Sequence, residues 1–250
     1  MYKEAIQDAI SMHELPSEWS SALLSEAENV ARKKKTTKYR KDLRKLPFVT
    51  IDGEDAKDFD DAIYCVKNTS GYRLYVAIAD VSFYVEANSK LDKEAKKRGT
   101  SIYFPETVIP MLPENLSNGI CSLRPNEDRC SMICEMSIDL DGTRKKYKFY
   151  SGLINSKARL TYNQVEKHFK KSSSIKQSIV RESIKHLFDL TNVRLKLRNQ
   201  RRALEINPTE AILELNKNKE VNNIVIKKNL FAHKLVEESM LLANESAAEF

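Results

Sequence analysis

The spacing of apolar residues changes along this chain and divides it into helical and β-rich segments. The first 30 residues have helical spacing, in AIQDAI before Pro16 and in WSSALLSEAENVA after it. Ser17 stands where a cap of the second helix is expected. From Leu46 the pattern becomes that of strands, because LPFVTI, AIYCV and YRLYVAIADVSFYV are rich in β-branched and aromatic residues. We therefore expect helices first and a sheet after them.

The middle of the chain predicts one short helix and one long hairpin. SKLDKEAKKRG, residues 89–99, contains helix formers and ends in glycine, which readily terminates a helix. TSIYFP and VIPMLP are short extended pieces interrupted by prolines. The stretch RCSMICEMSIDLDGTRKKYKFYSGLI predicts two strands that turn at Asp141 and Gly142.

The last third of the chain is mainly helical in pattern. TYNQVEKHF follows Thr161, and a long polar helix is predicted from about 175 to 202. LEINPTEAILELN predicts a brief extended segment, and LFAHKLVEESMLLANESAAEF predicts an amphipathic helix. That helix shows no stop signal before Phe250, so we expect the chain to be incomplete at its C-terminal end.

Composition describes a globular protein with a positive charge. The 250 residues are 41% apolar and 31% charged, which is enough to bury a large core. The formal net charge of +7 favours a polyanionic partner, although many proteins with this charge bind no nucleic acid. Residues 31–45, ARKKKTTKYRKDLRK, are the most basic stretch. They suit a solvated linker or an arm that contacts phosphates, and the sequence leaves both open.

Cysteines and the N-terminus indicate the cellular compartment. The four cysteines lie among apolar neighbours without a C-x-x-C pair, so they predict packing in a reducing compartment rather than disulfides or a zinc site. The N-terminus has acidic residues where a signal peptide needs an apolar core, and no apolar run has the length of a membrane span. We expect a cytoplasmic location.

An acidic loop is the most unusual feature of this basic chain. The stretch TIDGEDAKDFDDAIYC, residues 50–65, concentrates carboxylates between two apolar runs. Two such charges about 5 Å apart repel by about 3 kcal/mol at an effective dielectric constant near 20. A divalent cation would relieve this repulsion, and ligands that are all carboxylate oxygens suit Mg²⁺ or Mn²⁺. The carboxylates are Asp52, Glu54, Asp55, Asp58, Asp60 and Asp61.

Two alternatives compete with a magnesium site. An EF-hand would need an ordered D-x-D-x-D-G spacing with a glutamate at the twelfth position, which this loop lacks. An acidic surface loop that binds nothing also fits the spacing. A magnesium site in a basic protein predicts chemistry on phosphate esters, because metal ions activate water and neutralise charge on phosphorus and its leaving oxygen.

Several stretches, in order and with matching spacing, resemble the catalytic (RNB) domain of the ribonuclease II family. The similarity extends from about Arg40 to Phe250. It implies an α+β fold, with a mixed or antiparallel sheet flanked by helices, over residues 40–250, and a helical, basic lead-in over residues 1–39. The matching stretches are RKDLRKLPFVTIDGEDAKDFDDAIYC, AIADVSFYV, RGTSIYFPETVIPMLPENLSNGICSL and HKLVEESMLLAN.

The resemblance also implies an activity and a set of catalytic residues. Members of the family are Mg²⁺-dependent hydrolytic exoribonucleases that degrade single-stranded RNA processively from its 3′ end to nucleoside 5′-monophosphates. By this similarity Asp52 and Asp61 are metal ligands, and Asp58 is a further ligand or supports one. Asp60 is the carboxylate most critical to the chemical step and a ligand of a second ion.

Contacts to RNA are implied at two further places. Tyr103 matches the family aromatic that stacks on the nucleotide at the 3′ end, while sheet packing is its structural alternative. Glu238, or its neighbour Glu237, matches a family residue near the terminal nucleotide. His233 and Glu237 are four residues apart on one helical face and resemble a ligand pair, but capping or packing is the favoured interpretation of this histidine.

The resemblance covers only part of the family's architecture. The family domain continues beyond Phe250 into a portion with an arginine that contacts the scissile phosphate, and RNA-binding barrels flank the domain on both sides. We therefore expect a partial catalytic domain, monomeric and without a membrane partner, that has little activity alone. A catalytically inactive RNA-binding member of the same fold is the main alternative, and a basic scaffold domain is a third.

Overall fold

We describe the fold from a computed structural model. It describes residues 2–32, 37–105, 107–171, 174–203, 211–216, 221–226 and 229–250. These residues form two compact units. The larger unit holds the described residues within Lys34–Phe83, Asn118–Leu204 and Leu230–Phe250, and the smaller unit holds those within Met1–Lys33, Tyr84–Ser117 and Glu205–Asn229. None of the helices within the described ranges combines the length and the apolar character that a membrane span requires.

Strands and helices are numbered here in chain order. The strands are β1 (Lys41–Asp42), β2 (Val49–Asp52), β3 (Asp61–Asn68), β4 (Gly71–Ala79), β5 (Ile102–Phe104), β6 (Thr107–Ile109), β7 (Asp128–Ile138), β8 (Arg144–Asn155), β9 (Ala158–Thr161), β10 (Ala211–Leu215) and β11 (Val221–Ile226). The α-helices are α1 (Tyr2–Met12), α2 (Ser21–Arg32), α3 (Val81–Tyr84), α4 (Lys90–Arg98), α5 (Tyr162–Lys171), α6 (Ser178–Gln200) and α7 (Phe231–Glu249), and a wider helical turn covers Asn115–Ile120.

A mixed sheet of seven strands organises the larger unit. Its strand order is β1-β8-β7-β4-β3-β2-β9. The four central pairings, from β8 across to β2, are antiparallel, whereas the outer pairs β1 with β8 and β2 with β9 are parallel. The predicted α+β class with a mixed, mainly antiparallel sheet is confirmed.

The two faces of this sheet have different partners. On one face Ile63 and Leu74 belong to a core that also includes Ile184 of α6 and Leu235 of α7. Side chains alternate between faces along a strand, so their neighbours point the other way. The second face carries a smaller apolar cluster that includes Phe48 and loop residues. The larger core therefore lies between the sheet and the C-terminal helices.

Capping groups explain two boundaries that the sequence pattern misplaces. The stretch YRLYVAIADVSFYV is a strand only to Ala79, because the Asp80 carboxylate accepts from the Phe83 amide at 3.2 Å and starts the short helix α3. The cap of α2 is Ser20 rather than Ser17. Its hydroxyl accepts from the Leu23 amide at 3.3 Å.

Other predicted elements are confirmed. The helix predicted over residues 89–99 is α4, where Ser89 accepts from the Asp92 amide at 3.1 Å and Gly99 ends the helix with φ +75°. The predicted hairpin is β7 and β8, and Gly142 takes φ +88° in its turn. In LEINPTEAILELN only β10 and Asn216 are described, and residues 204–210 lie outside the described residues. All four cysteines are free and buried, as the packing interpretation predicts.

The basic stretch joins the sheet where it is described. The guanidinium of Arg40 donates to the Asp80 carboxylate at 2.5 Å, and both side chains are only 7% exposed. Arg40 also lies over the Phe83 ring at 4.2 Å. Arg44 pairs with Asp42 at 2.7 Å and β1 pairs with β8, so residues 40–44 are part of the sheet rather than a solvated linker. Residues 33–36 lie outside the described residues.

The smaller unit is organised around one arginine. The guanidinium of Arg98 lies 3.5 Å from the centre of the Trp19 ring. It also donates to the Glu18 carbonyl at 2.7 Å, to the Pro110 carbonyl at 3.2 Å and to Glu94 at 2.9 Å. These contacts connect α4 to the segment before α2 and to the segment after β6.

The buried pair of Arg40 and Asp80 generates a stability prediction. Replacing Arg40 by leucine leaves the Asp80 carboxylate buried without its partner, so we expect the free energy of unfolding to fall by about 3 kcal/mol. Chemical denaturation measures this change. The control is Arg32→Leu, which breaks the exposed pair with Glu28 and should change stability little. Equal effects of the two substitutions would contradict a structural role for the buried pair.

Candidate active site

Two strand ends bring the predicted aspartates together. Strand β2 ends at Asp52 and its antiparallel neighbour β3 begins at Asp61, so both residues lie at the same end of the sheet. The loop between them, residues 53–60, carries Asp58 and Asp60. On the other side of β2, Thr161 of β9 is the register partner of Asp52. All four predicted aspartates therefore lie within one loop and its two flanking strand ends.

The first part of this loop is held by strand β9. The guanidinium of Arg159 donates to the Gly53 carbonyl at 2.6 Å and to the Glu54 carbonyl at 2.5 Å. Asn163, at the start of α5, donates to the Glu54 carboxylate at 3.0 Å. These hydrogen bonds satisfy the acceptors of the turn, so they fix the direction in which the backbone continues after Asp52.

The second part of the loop is held by a buried serine. The hydroxyl of Ser122 accepts from the Phe59 amide at 2.9 Å and donates to the Lys57 carbonyl at 2.9 Å. These two backbone groups flank Asp58, so one side chain fixes the peptides on both sides of that residue. Ser122 is itself fully buried and cannot exchange these bonds for water. We define this arrangement as the Ser122 anchor.

Neighbouring groups hold both the anchor and the end of the loop. The Nε–H of Arg129 donates to the Ser122 carbonyl at 2.8 Å, and the Leu123 amide donates to the Phe59 carbonyl at 2.9 Å. The amide of Ala79, the last residue of β4, donates to the Asp60 carbonyl at 2.8 Å. The backbone around Asp60 is thereby bonded to the sheet and to the segment that follows residue 118.

Burial and the charges of neighbouring aspartates raise the pKa values of Asp60 and Asp61. Burial raises the pKa of Asp61 to about 6, and the charges of Asp52 and Asp60 contribute. The pKa of Asp60 is also raised, first by desolvation and then by Asp58 and Asp52. Since the Asp60 side chain is exposed to solvent, its desolvation is partial, and the shift of Asp61 is the stronger sign of crowding. Repulsion within the cluster is a property of the folded chain.

The fit of this cluster to a divalent cation depends on chemistry and on geometry. Its donors are all carboxylates, which hard cations prefer, and their raised pKa values mark a place where positive charge is favourable. In the ranges that the structure describes, however, no three His, Cys, Asp or Glu side chains surround a common point. Asp52 instead accepts a bond from the Gly53 amide at 2.7 Å. The residues fit Mg²⁺ by charge and ligand type, without a preassembled ligand shell.

The two predicted RNA contacts have different environments. Tyr103 is the central residue of β5 and is 65% exposed, so its ring is not part of a packed sheet. Glu238 on α7 is 2% exposed, with its carboxylate 2.9 Å from Arg198 and 3.6 Å from Arg194. The neighbouring Glu237 is more exposed and also pairs with Arg198. Contacts of Tyr103 and Glu238 with RNA stay predictions.

The structure assigns His233 to helix capping. Its Nδ1 accepts from the Leu230 amide at 2.9 Å at the start of α7, as the favoured interpretation predicts. The ring also stacks on Tyr162, with centroids 4.1 Å apart. Burial raises the pKa of the Tyr162 phenol to about 12, and the charges of Asp52 and Asp61 contribute. Tyr162 therefore lies beside the aspartates and joins them to α7.

Sequence reasoning missed Ser122, Arg159 and Tyr162. Ser122 and Arg159 are more than 60 residues from the backbone groups they hold, and no short motif links them to the loop. Tyr162 has a local signal, since it follows β9 directly at the end where Asp52 lies. Placing β9 beside β2 requires the parallel pairing, which the spacing of apolar residues does not specify.

Comparisons with known proteins agree over most of the chain. The profile of the RNB domain family matches residues 40–250. Ribonuclease R of Escherichia coli strain K12 is 45% identical over 254 residues, which is 98% of this chain and 31% of that protein. The chain thus spans about a third of the length of this curated relative.

Solved structures give the same result. Mycoplasma genitalium RNase R in complex with ribose-methylated single-stranded RNA matches with a TM-score of 0.91 and 34% identity, over 97% of this chain and 38% of that one. Yeast Ssd1, a pseudonuclease, matches with a TM-score of 0.66 and 17% identity over 86% of this chain and 27% of its own, which shows the fold alone. With the family profile matched over residues 40–250, this chain belongs to the RNB domain family.

Proposed function

We propose that this chain is the aspartate-bearing part of a hydrolytic exoribonuclease. Its substrate is single-stranded RNA, degraded processively from the 3′ end to nucleoside 5′-monophosphates with Mg²⁺, or Mn²⁺, as cofactor. The protein acts as a monomer in the cytoplasm. The observation that carries this proposal is the loop of four aspartates, in which burial and neighbouring carboxylates raise the pKa values of Asp60 and Asp61, in a chain of the RNB domain family. The 45% identity of this chain to Escherichia coli ribonuclease R over 254 residues supports it.

The cofactor would be held by the four aspartates. Asp52 and Asp61 at the strand ends would be its ligands, with Asp58 and Asp60 from the loop completing the set. When bound, Mg²⁺ supplies positive charge that activates water and stabilises the developing charge on the phosphate. The loss of mutual repulsion among the carboxylates would favour its binding.

The residues of this chain orient the aspartates relative to the scissile phosphate. The reaction adds water to the phosphorus and breaks its bond to the 3′ oxygen of the preceding nucleotide. The released nucleotide keeps the phosphate on its 5′ oxygen, and the shortened RNA gains a 3′ hydroxyl. The Ser122 anchor and Arg159 limit the positions that Asp58 and Asp52 can take. Substrate binding therefore causes little further loss of conformational entropy in these carboxylates. Tyr103 would stack on a base.

An inactive RNA-binding protein of the same fold is the second candidate. Yeast Ssd1 has this fold and is described as a pseudonuclease, so the fold itself does not decide between the two. Retention of all four aspartates in one anchored loop favours the enzyme, because binding RNA alone gives no reason to keep four carboxylates that repel phosphates.

Substitution of Asp60 tests the proposed activity. The assay uses the full-length protein and single-stranded RNA labelled at its 5′ end. Asp60→Asn should lower the rate of hydrolysis by about 100-fold or more, because a charged group at the reacting phosphate is lost. RNA binding should be retained. The matched control is Asp55→Asn, at an exposed position of the same loop, which should keep activity. Normal cleavage by the Asp60 variant would contradict its assigned role, and loss of all cleavage on chelation of Mg²⁺ is expected for the unchanged protein.

The raised pKa of Asp61 predicts how stability depends on pH without metal. Its pKa is about 6 in the folded chain and about 3.9 when unfolded. The folded chain therefore binds more protons between pH 4 and 6, so the free energy of unfolding should fall as the pH rises through this window. We expect Asp61→Asn to remove this part of the pH dependence when denaturation is measured in EDTA. An unchanged slope in the variant would contradict the assignment.

The Ser122 anchor predicts a defect in catalysis without loss of the fold. Ser122→Ala removes the bonds that flank Asp58, so we expect kcat to fall about tenfold and half-activation to need more Mg²⁺. Ser246→Ala is the matched control, because Ser246 is equally buried and its hydroxyl donates to the Leu242 carbonyl in α7. If both variants lose the same activity in proportion to their stability, the anchor has no specific effect on the loop.

A further inference from the structure

A row of polar and aromatic side chains crosses the second face of the large sheet. The register places Tyr64 of β3 opposite Tyr75 of β4, Tyr75 opposite Glu135 of β7, and Glu135 opposite Lys148 of β8. Tyr64 and Tyr75 stack with their ring centres 5.5 Å apart. Tyr75 belongs to the apolar cluster of this face and Tyr64 packs against it, on the opposite side of the sheet from α6 and α7.

The carboxylate of Glu135 is the centre of the arrangement. It is 8% exposed and accepts from the hydroxyl of Tyr150 at 2.7 Å and from that of Tyr75 at 3.4 Å. Burial opposes its charge, but the bonds from Tyr150 and Lys148 hold the pKa of Glu135 below its usual value. It is therefore an ionised carboxylate fixed within the sheet.

Three cations surround this single carboxylate. The nitrogens of Lys148, Lys41 and Arg73 lie 3.2, 3.7 and 3.9 Å from its oxygens. Their side chains are 58%, 52% and 49% exposed, so each presents N–H groups to solvent. Lys41 also lies 4.8 Å from the centre of the Tyr150 ring. Three positive charges and one negative charge leave an excess of two positive charges at fixed positions.

Three cations are more than the charge of Glu135 requires for neutralisation. One cation and two hydroxyl donors already satisfy Glu135, and exposed cations held close to one another repel. The row of the sheet that contains Arg73 continues through Ser137 of β7 to Lys146 of β8, which adds a fourth cation. A set of crowded cations, ordered around a common anion, is favourable where a second anion binds on the solvent side.

We propose that this cation–tyrosine surface binds the phosphate backbone of single-stranded RNA. The half-exposed cations Lys41, Arg73 and Lys148 make its contacts with RNA. The buried Glu135 and the tyrosines Tyr64, Tyr75 and Tyr150 support them. It is separate from the aspartates, because Tyr64 follows Asp61 by three residues along β3, about 10 Å, and Arg73 lies in a more distant row. RNA fits better than an acidic protein segment because repeated phosphodiesters match several cations without sequence-specific contacts.

The inference rests on the proposed function only in taking RNA as the polymer. Binding of a labelled 30-nucleotide oligouridine is measured in EDTA over a range of salt concentrations, on the Asp60→Asn background. The test variant carries Arg73→Gln and Lys148→Gln, which leaves Lys41 beside Glu135. The control carries Lys185→Gln and Lys196→Gln, two exposed positions of α6 on the other side of the sheet.

We expect the test variant to bind about tenfold more weakly at 0.1 M salt than the control. Its slope of log affinity against log salt should be smaller by about 1.4, since each phosphate contact on a single strand contributes about 0.7. Lys148→Gln alone, at the most exposed of the three cations, should show about half of this change if the double variant is unstable.

Equal affinities and slopes for test and control variants would overturn the surface as an RNA site. Competition supplies a second criterion: a polyglutamate of equal charge should displace RNA from the parent chain far less well than unlabelled oligouridine does. Equal competition would assign the surface to acidic protein segments and overturn the proposal. Failure of this proposal leaves hydrolysis untouched, whereas failure of the proposed function appears as an absence of Mg²⁺-dependent RNA hydrolysis by the unchanged protein.

Discussion

Repulsion among four carboxylates is the constraint on which the candidate site depends. A free loop would relieve it by turning Asp52, Asp58, Asp60 and Asp61 apart, which recovers about 3 kcal/mol for each pair at about 5 Å. Here the ends of β2 and β3 fix two of the residues, and the loop between them has little freedom. The remaining ways to lower the free energy are to bind protons, as the raised pKa of Asp61 indicates, or to bind cations.

The groups that hold the loop come from distant parts of the larger unit. Ser122 bonds the peptides beside Asp58, and Ala79 at the end of β4 bonds the carbonyl of Asp60. Asp80 follows directly and is paired in the interior with Arg40. The start of the sheet is thus connected, through the end of β4, to the loop that carries the aspartates. A site that is held against repulsion needs such support, because any local unfolding would release the carboxylates.

The sequence predicts what depends on local chemistry. Alternating apolar residues identify the strands, the helix formers and Gly99 identify α4, and the dense aspartates indicate the candidate site. The sequence pattern fails for features that depend on contacts with residues far away along the chain. The pattern places Asp80 in a strand because its bond to Arg40 is tertiary, and the basic segment around Arg40 suits a linker or a phosphate-contacting arm for the same reason. The ion pairs of Glu238 with two arginines of α6 are likewise invisible in the sequence around it.

The charge distribution explains why binding and chemistry are expected at different places. Four carboxylates repel a phosphate backbone until cations are bound, so the aspartate loop cannot supply the initial affinity for RNA. The excess of Lys and Arg gives the chain its net charge of +7, but buried pairs such as Arg40 with Asp80 contribute nothing to a surface field. Attraction must come from exposed cations whose charge is not cancelled. Around Glu135 three such cations lie within 3.9 Å of its oxygens, about half exposed and in excess of their anion, so the surface proposed to bind RNA is ordered before any ligand binds.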